Sequence, residues 1–155
     1  MRLKSLNEVN LEGKTVLYRS PYDIGVKEKD GKLFLKDDSR IRATLETLNY
    51  LLSKNCKIVI MTWVKRPNTP EDKIKLSTIT HAKSLSELLN HPVQHINDCV
   101  GSNVQSKIQS LKEKEILMLE NTRFHQEEFD DNDEFAFELT QGMIMIFYLS
   151  IKIHP

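Results

Sequence analysis

The 155-residue sequence predicts an α/β domain whose mostly parallel sheet is covered by helices on both faces. Apolar runs typical of buried strands alternate along the chain with segments whose apolar residues recur at helical spacing. The strand-like runs are continuously apolar rather than alternating, as in sheets that are buried on both faces. Neither a repeat nor a linker interrupts this succession, so a single domain is expected.

The first half of the chain supplies two predicted strands with a loop and a helix between them. The run KTVLY at 14–18 predicts the first strand, and the polar, glycine-containing stretch 19–36 predicts a long loop. Residues 37–54 open with the capping candidates DDS and then place leucines on one stripe, which predicts an amphipathic helix. The β-branched run at 56–63 predicts a second, buried strand that the following prolines end.

The second half continues the alternation. Its predicted elements are, in order, a helix after Ser77 that runs through Leu89, a weak strand at 92–96, a modest helix at 103–111, a buried strand at 115–119, a helix over 130–142 and a strand at 143–147. This order is typical of a three-layer, Rossmann-like domain with a mostly parallel sheet.

Composition excludes several classes of partner. Lys plus Arg equals Asp plus Glu at 22 each, so no overall field favours a nucleic acid or an anionic membrane. Cys56 and Cys99 are far apart and lack the spacing of a zinc site, which indicates reduced, structural thiols. No secretory signal is recognisable, and no apolar run reaches the roughly 20 residues of a membrane span. A cytoplasmic protein without a membrane or nucleic-acid partner is therefore expected.

Basic residues follow the predicted strands, at the edge where open α/β sheets bind ligands. They are Arg19 after the first strand, Lys65 and Arg66 after the second, Arg123 and His125 after the fourth, and Arg40 in the first turn of the first helix. Each alone is more often a solvated loop charge, but together they favour a small phosphate- or carboxylate-bearing ligand. Arg42 faces another side of the helix, so at most one of Arg40 and Arg42 is expected to bind. No metal ligands are predicted.

Three stretches, DDSRIRATLETLNYLL, NDCVG and LENTRFHQEE, closely resemble the N-terminal domain of phosphoglycerate kinase in sequence and in order. The similarity runs from about Leu11 to Gly142. The resemblance implies a two-domain enzyme that transfers a phosphoryl group between ATP and the carboxylate of 3-phosphoglycerate, with this domain holding the acid. It also implies that Mg-ATP is bound by the C-terminal domain, so this chain is expected to hold no cofactor itself.

The resemblance also assigns roles to individual residues. Arg40 matches the catalytic arginine that meets the reacting carboxylate and the phosphoryl group in transfer. Arg66 and Arg123 match members of the basic cluster that binds the phosphate already on the substrate. Such charge neutralisation is most of what a phosphoryl-transfer catalyst supplies. Glu120 and Asn121 are expected to fix the loop, because transfer to a carboxylate requires no proton removal.

Two strand-end loops depart from the sequence that is usual in the family. RSPYDI stands where the family typically reads Arg-Val-Asp-Phe-Asn-Val, so Pro21 replaces a substrate-contacting Asp and Asp23 replaces an Asn. TWVKRP stands where it reads Ser-His-Leu-Gly-Arg-Pro, so Trp63 replaces a basic His and Lys65 a Gly. The substrate-binding hypotheses are Asp23 as a hydroxyl acceptor, Lys65 as a replacement charge and Trp63 as a flat contact. A turn residue for Asp23 and rim packing for Trp63 are the alternatives.

The similarity stops near Phe147. Residues 1–147 are therefore expected to form an incomplete N-terminal domain and residues 148–155 a divergent apolar tail that promotes self-association, with the C-terminal nucleotide domain absent. A frameshift, an inaccurate gene model or a split gene would each produce this pattern.

Three hypotheses about function remain open. The leading one is a phosphoglycerate kinase fragment, inactive alone and with a possible complementary C-terminal domain as partner. The alternatives are half of a divergent kinase for another phosphorylated carboxylate and a non-catalytic anion-binding module.

Overall fold

The computed structural model describes residues 6–141 and 143–147, and its main feature is a five-stranded parallel sheet. A two-stranded antiparallel hairpin lies beside it. The strands are β1 (Thr15–Arg19), β2 (Val26–Lys29), β3 (Lys32–Leu35), β4 (Lys57–Met61), β5 (Val93–His95), β6 (Ile116–Met118) and β7 (Ile144–Phe147). The main sheet has the order β5-β6-β4-β1-β7, which confirms the predicted parallel α/β class.

The helices are α1 (Ser39–Arg42), α2 (Leu45–Ser53), α3 (Asp72–Lys75), α4 (Ile79–Leu89), α5 (Ser102–Ser110) and α6 (Asp133–Thr140). Short 3-10 helices lie at Leu6–Glu8, Thr122–Phe124 and Gln126–Glu128. Asn132 caps the N-terminus of α6. Its side chain accepts a hydrogen bond from the Phe135 backbone N–H at 2.9 Å, and Asn is a preferred residue at this position.

Two hydrophobic cores, one on each face of the sheet, give the predicted three layers. Successive residues of a strand point to opposite faces. Ile58 of β4 therefore packs with Leu48 of α2 and Leu85 of α4, whereas Val59 packs with side chains of α5 and α6. The continuous apolar runs of the sequence follow from this arrangement, since both sides of each central strand are buried.

The predicted loop at 19–36 is wrong in part, because it contains the β2–β3 hairpin. Asp30 and Gly31 join the two strands with φ angles of 51° and 70°. Positive φ at both central residues is the geometry of a two-residue hairpin turn, for which Asp-Gly is a preferred sequence. The Asp-Gly pair at 30–31 is the sequence signal of this hairpin.

The predicted helix at 37–54 is also corrected, because the structure divides it into α1 and α2. Thr44 lies at the break and is fully buried. Its hydroxyl donates to the carbonyl of Ile41 at 2.8 Å and lies 2.5 Å from the hydroxyl of Tyr22. A threonine bonded in this way competes with continuous helix geometry. The short helix α3 was likewise not predicted.

The last predicted strand, at 143–147, is present in the structure as β7. β7 pairs in parallel with β1 at the edge of the sheet, as expected for the last strand. The predicted apolar tail at 148–155 and the predicted helix end at Gly142 lie outside the described residues. Cys56 and Cys99 are both free and buried. Among the described residues, no helix has the length and apolar character to cross a membrane.

Candidate anion-binding site

The loops that follow β4 and β6 meet at one crevice of the sheet. The two strands are parallel neighbours, but the chain leaves β4 toward α4 on one face and leaves β6 toward α6 on the other. Loops that diverge in this way open a crevice beyond the strand ends, where sheets of this class bind ligands. The loops are TWVKRP at 62–67 and LENTRFHQEE at 119–128.

Asn121 joins these two loops through its side-chain amide. Its Oδ1 accepts hydrogen bonds from the backbone N–H groups of Val64 at 3.0 Å and Arg123 at 3.1 Å. Its Nδ2 donates to the carbonyls of Val64 at 2.8 Å and Leu76 at 3.0 Å. The side chain is fully buried, so these bonds are shielded from water. Asn121 thus fixes the loops, as predicted.

Glu120 fixes the start of α4. Its Oε1 accepts from the backbone N–H groups of Thr78 at 2.8 Å and Asn121 at 2.7 Å, and its Oε2 accepts from the Ser77 hydroxyl at 2.7 Å. Thr78 directly precedes α4, so the carboxylate lies at a helix N-terminus, where negative charge is favourable. These contacts agree with the expected role in holding the loop.

Three arginines and two aromatic rings alternate along the rim of the crevice. The guanidinium carbon of Arg19 lies 5.0 Å from the ring centre of Trp63, and that of Arg123 lies 5.7 Å from the same centre. Arg123 also lies 5.9 Å from the ring centre of Phe129, and Arg66 lies 4.5 Å from it. These five residues are called the arginine–aromatic cluster below.

Arg40 approaches the same rim through backbone contacts. Its Nη1 donates to the carbonyls of Pro21 at 3.4 Å and Asp23 at 3.5 Å, which are long and therefore weak bonds. The Asp23 Oδ1 accepts from the Lys65 backbone N–H at 2.8 Å and lies 3.7 Å from the Lys65 ammonium. The carbonyl of Lys65 accepts from Arg123 Nη1 at 2.9 Å.

The structure thus brings six of the predicted site residues into one connected set. Its members from the sequence prediction are Asp23, Arg40, Trp63, Lys65, Arg66 and Arg123. Sequence reasoning missed Phe129. It placed Arg19 in the basic cluster expected to favour an anion but gave it no individual role. The available signal for Phe129 was a single aromatic residue inside the charged stretch QEEFDDND.

Two other basic candidates pair with acids instead. Arg42 makes a bidentate pair with Asp38, with Nε to Oδ1 at 3.0 Å and Nη2 to Oδ2 at 2.8 Å. His125 Nε2 lies 2.9 Å from Asp98 Oδ1. Arg42 is thus held by Asp38 and His125 by Asp98.

A separate cleft of about 490 Å³ lies between the end of β1 and α6. Arg19 lies at its edge, and the carboxylates of Glu127, Glu128, Asp131 and Asp133 line it. These acids repel an anion at ordinary pH. An anionic ligand is therefore expected on the Trp63 side of Arg19 rather than in this cleft.

The buried thiol beside the crevice is structural. Cys99 Sγ donates to the carbonyl of Glu120 at 2.9 Å. Burial, and secondarily the neighbouring carboxylates of Asp98 and Glu120, raise the pKa of the Cys99 thiol far above its usual range. A thiol that stays protonated is a poor nucleophile and a poor metal ligand. Within residues 6–141 and 143–147, no three His, Cys, Asp or Glu side chains converge as a metal-binding group, and we assign no magnesium site there.

The comparisons with known proteins point to one family. A family profile described as "Phosphoglycerate kinase" matches residues 6–147. Phosphoglycerate kinase of Aquifex aeolicus (strain VF5) is 40% identical over 139 residues, which are 90% of this chain and 34% of that protein. The chloroplastic phosphoglycerate kinase of Volvox carteri is 40% identical over 138 residues, covering 88% of this chain and 29% of that protein.

Solved structures show the same likeness in three dimensions. The crystal structure of phosphoglycerate kinase from Pyrococcus horikoshii OT3 superimposes with a TM-score of 0.77 at 31% identity, covering 94% of this chain and 36% of that one. Phosphoglycerate kinase from Coxiella burnetii gives a TM-score of 0.76 at 26% identity, with 94% and 35% covered. The chain spans about a third of the length of the relatives it matches. Because the family profile extends over nearly all of the described residues and the fold agrees with the solved structures, this chain belongs to the phosphoglycerate kinase family.

Proposed function

We propose that this chain forms the acid-substrate half of a phosphoglycerate kinase and binds 3-phosphoglycerate at the rim of the β4–β6 crevice. The observation that carries the proposal is the arginine–aromatic cluster, which lies at the strand ends beside Arg40. Among the described residues, Arg19, Arg66 and Arg123 form no ion pair with a carboxylate, in contrast to Arg42. Guanidinium groups without a carboxylate partner are suited to bind an anionic ligand.

The arginines divide the ligand between them. Arg66 and Arg123 bind the phosphate of 3-phosphoglycerate, and Arg40 meets the carboxylate that accepts or donates the phosphoryl group. Positive charge at this position stabilises the charge that develops on the transferred group. The long bonds of Arg40 to two carbonyls are weak enough to be exchanged for bonds to the ligand. Asp23 and Lys65 face the same rim, and the Asp23 carboxylate is the acceptor for the hydroxyl of the acid.

Mg-ATP supplies the phosphoryl group in the family, and we assign its binding to the part of the relatives that this chain does not match. The complementary partner of the chain is therefore a nucleotide-binding domain. A cytoplasmic location stays a prediction, because some relatives are named as chloroplastic. Nucleic acid and membrane are not proposed as partners.

Binding of the acid is tested by NMR titration of the full chain with 3-phosphoglycerate. We expect Arg66→Ala and Arg123→Ala each to weaken binding about tenfold or more, because a charge-assisted hydrogen bond contributes about 1.5–3 kcal/mol. Arg42→Ala is the matched control. This variant should leave the affinity unchanged, because Arg42 is already paired with Asp38. Equal affinities of all four proteins, or no shifts near the crevice at millimolar ligand, would contradict the proposal.

Catalysis requires both substrates to be held in line across a closing cleft. A coupled assay of the purified chain with ATP and 3-phosphoglycerate is therefore expected to show no turnover. Turnover that Arg40→Ala abolishes would show that this chain is an enzyme by itself and that the assignment of ATP to a partner domain is wrong.

A further inference from the structure

Each ring of the arginine–aromatic cluster contacts two guanidinium groups, and this arrangement is the basis of the inference. Trp63 lies between Arg19 and Arg123 in the sequence of contacts, and Phe129 lies between Arg123 and Arg66. A ring already covered by two cations offers a ligand little free surface. Trp63 is therefore better suited to hold its arginines than to pack flat against the ligand.

The rings also explain how three like charges stay close together. A guanidinium group over an aromatic face is attracted by the negative face of the ring, by about 0.5–1 kcal/mol at an exposed site. Within the described part of the chain, carboxylates make no ion pair with these arginines, so they do not neutralise them directly. A guanidinium group that stacks on a ring keeps N–H groups at its edge that can donate hydrogen bonds to an anion.

Arg123 is the shared member and is held from two further directions. Its Nη1 donates to the carbonyl of Lys65 at 2.9 Å, and its backbone N–H donates to Asn121 Oδ1 at 3.1 Å. Asn121 in turn is fixed by the loop after β4. The central arginine therefore has a fixed backbone and a side chain with contacts to two rings.

We propose that Trp63 and Phe129 are positioning residues that hold Arg19, Arg66 and Arg123 in a preformed array for the phosphate group of the ligand. The inference rests on the proposed function, because it concerns the same site. Immobilising a long side chain costs about 0.5–1.5 kcal/mol on binding, and an array that is ordered beforehand avoids this cost. We assign neither ring a contact with the reacting atoms.

One ring of the cluster stands at a position where this chain departs from the usual family sequence. Trp63 stands where the family typically has a basic His. The chain therefore has, in place of that imidazole, an indole ring that contacts the guanidinium groups of Arg19 and Arg123. Phe129 directly follows the other crevice loop and completes the cluster through its contacts with Arg66 and Arg123. The loss of one cation is thus offset by order among those that remain.

The test compares ring-removing and ring-retaining variants of the full chain. Trp63→Leu and Phe129→Leu remove a ring, and Trp63→Tyr retains one. Phe124→Leu is the matched control. Phe124 lies in the loop 119–128, and the cation over its ring is the Lys73 ammonium, 5.8 Å from the ring centre, rather than an arginine of the cluster. Dissociation constants are measured for 3-phosphoglycerate and for inorganic phosphate, and thermal unfolding verifies that each variant is folded.

A second readout reports on the arginines without a ligand. In NMR spectra of chain labelled with ¹⁵N-arginine, the side-chain Nε–H signal of Arg19 should carry a ring-current shift that disappears in Trp63→Leu. The shift of the Arg123 signal should change in both Trp63→Leu and Phe129→Leu, because Arg123 contacts both rings. If Trp63 only stabilised the loop, the changes in the arginine signals among the variants would not correlate with their changes in ligand affinity. The wild-type signals should move further when either anion is added.

We expect Trp63→Leu and Phe129→Leu to bind both anions about fivefold or more weakly, Trp63→Tyr to recover most of the affinity, and Phe124→Leu to match the wild type. Unchanged affinity in both Leu variants, with the ring-current shifts lost, would overturn the positioning role and leave the proposed function intact. Phosphate binding that follows this pattern without binding of 3-phosphoglycerate would keep the positioning role and overturn the proposed function. If the wild-type chain binds neither 3-phosphoglycerate nor inorganic phosphate, both the positioning role and the proposed function are overturned.

Discussion

At the scale of single residues, two departures from the usual family sequence contact each other. Lys65 has a φ of 50°, in the left-handed region, and its N–H donates to the Asp23 carboxylate at 2.8 Å. A side chain in this conformation costs about 1–2 kcal/mol, which glycine avoids. The family typically has Gly where Lys65 stands and Asn where Asp23 stands. The hydrogen bond and the nearby ammonium therefore offset a strained backbone at this position.

Replacing Lys65 tests the strain directly. Lys65→Gly and Lys65→Ala both remove the ammonium, but only alanine keeps the strained Cβ, so we expect the glycine variant to be more stable by about 1 kcal/mol. Urea denaturation measures the difference. Lys83, which is exposed on α4, serves as the control: there alanine should be the more stable residue by about 1 kcal/mol. The same order at both positions would contradict the left-handed backbone at Lys65.

Asn121 supports a second prediction at this scale. Asn121→Ala leaves buried backbone groups of Val64 and Leu76 without partners, and each unsatisfied group costs about 1–3 kcal/mol. A loss of about 3 kcal/mol or more in the free energy of unfolding is expected from urea denaturation. Asn103→Ala on the exposed surface of α5 should change it by less than about 0.5 kcal/mol. A small loss at Asn121 would mean that water replaces the amide.

At the scale of elements, the break between α1 and α2 and the side chain of Arg40 both contact the loop after β1. The break is tied to the loop after β1, because the Tyr22 and Thr44 hydroxyls lie 2.5 Å apart and both residues are fully buried. Arg40 belongs to α1, the short helix on the N-terminal side of the break. The loop after β1 therefore contacts the break through Tyr22 and also contacts Arg40 through the carbonyls of Pro21 and Asp23.

A double-mutant cycle tests this contact. Tyr22→Phe removes one hydroxyl, Thr44→Val removes the other, and the double variant removes both. A coupling energy of about 1 kcal/mol is expected from chemical denaturation, since a buried hydrogen bond contributes about 0.5–1.5 kcal/mol. The cycle also cancels the bond from Thr44 to the carbonyl of Ile41, which is lost in both Thr44 variants. Additive effects would show that the two hydroxyls do not interact.

At the scale of the whole molecule, stability depends on pH through two histidines, the buried His81 of α4 and the partly buried His95 of β5. His81 is fully buried and its Nε2 lies 3.0 Å from the carbonyl of Ile24. Burial lowers the pKa of His81, although the carbonyls of Ile24 and Ser77 and the carboxylates of Glu120 and Asp23 oppose this shift. Burial also lowers the pKa of His95, against the opposing effect of Glu120.

We therefore expect the chain to lose stability on mild acidification. The unfolded state binds protons near the ordinary histidine pKa of about 6.5 and the folded state binds them at lower pH, so the free energy of unfolding falls as pH drops below about 6.5. Urea denaturation at pH 7.5 and 5.5 measures the loss, which approaches about 1.4 kcal/mol per pH unit for each histidine that stays neutral in the fold. His81→Gln should show a smaller loss. A titration of the His81 ring protons at or above pH 6.5 would contradict the sign.

The sequence by itself determined the fold class and the ends of the strands that carry the ligand site. Periodicity is local: one helical turn or a few residues of a strand suffice to express it, and the apolar runs of β1, β4 and β6 show that both faces are buried. The same local reasoning located Arg19, Arg66 and Arg123 after their strands. It did not predict the β2–β3 hairpin, although Asp30 and Gly31 form a typical turn sequence. It also did not predict the break between α1 and α2, where Thr44 contacts Tyr22, a residue distant in sequence.

Only the tertiary structure decided which strand ends became neighbours. The order β5-β6-β4-β1-β7 places the loops after β4 and β6 side by side, although 57 residues separate Val64 from Asn121. The contacts of Asp23 with Lys65, and of Trp63 and Phe129 with their arginines, follow from that order and from the shapes of loops without periodicity. Sequence spacing carries no record of such contacts, because they depend on strands pairing across the sheet rather than on residues adjacent along the chain.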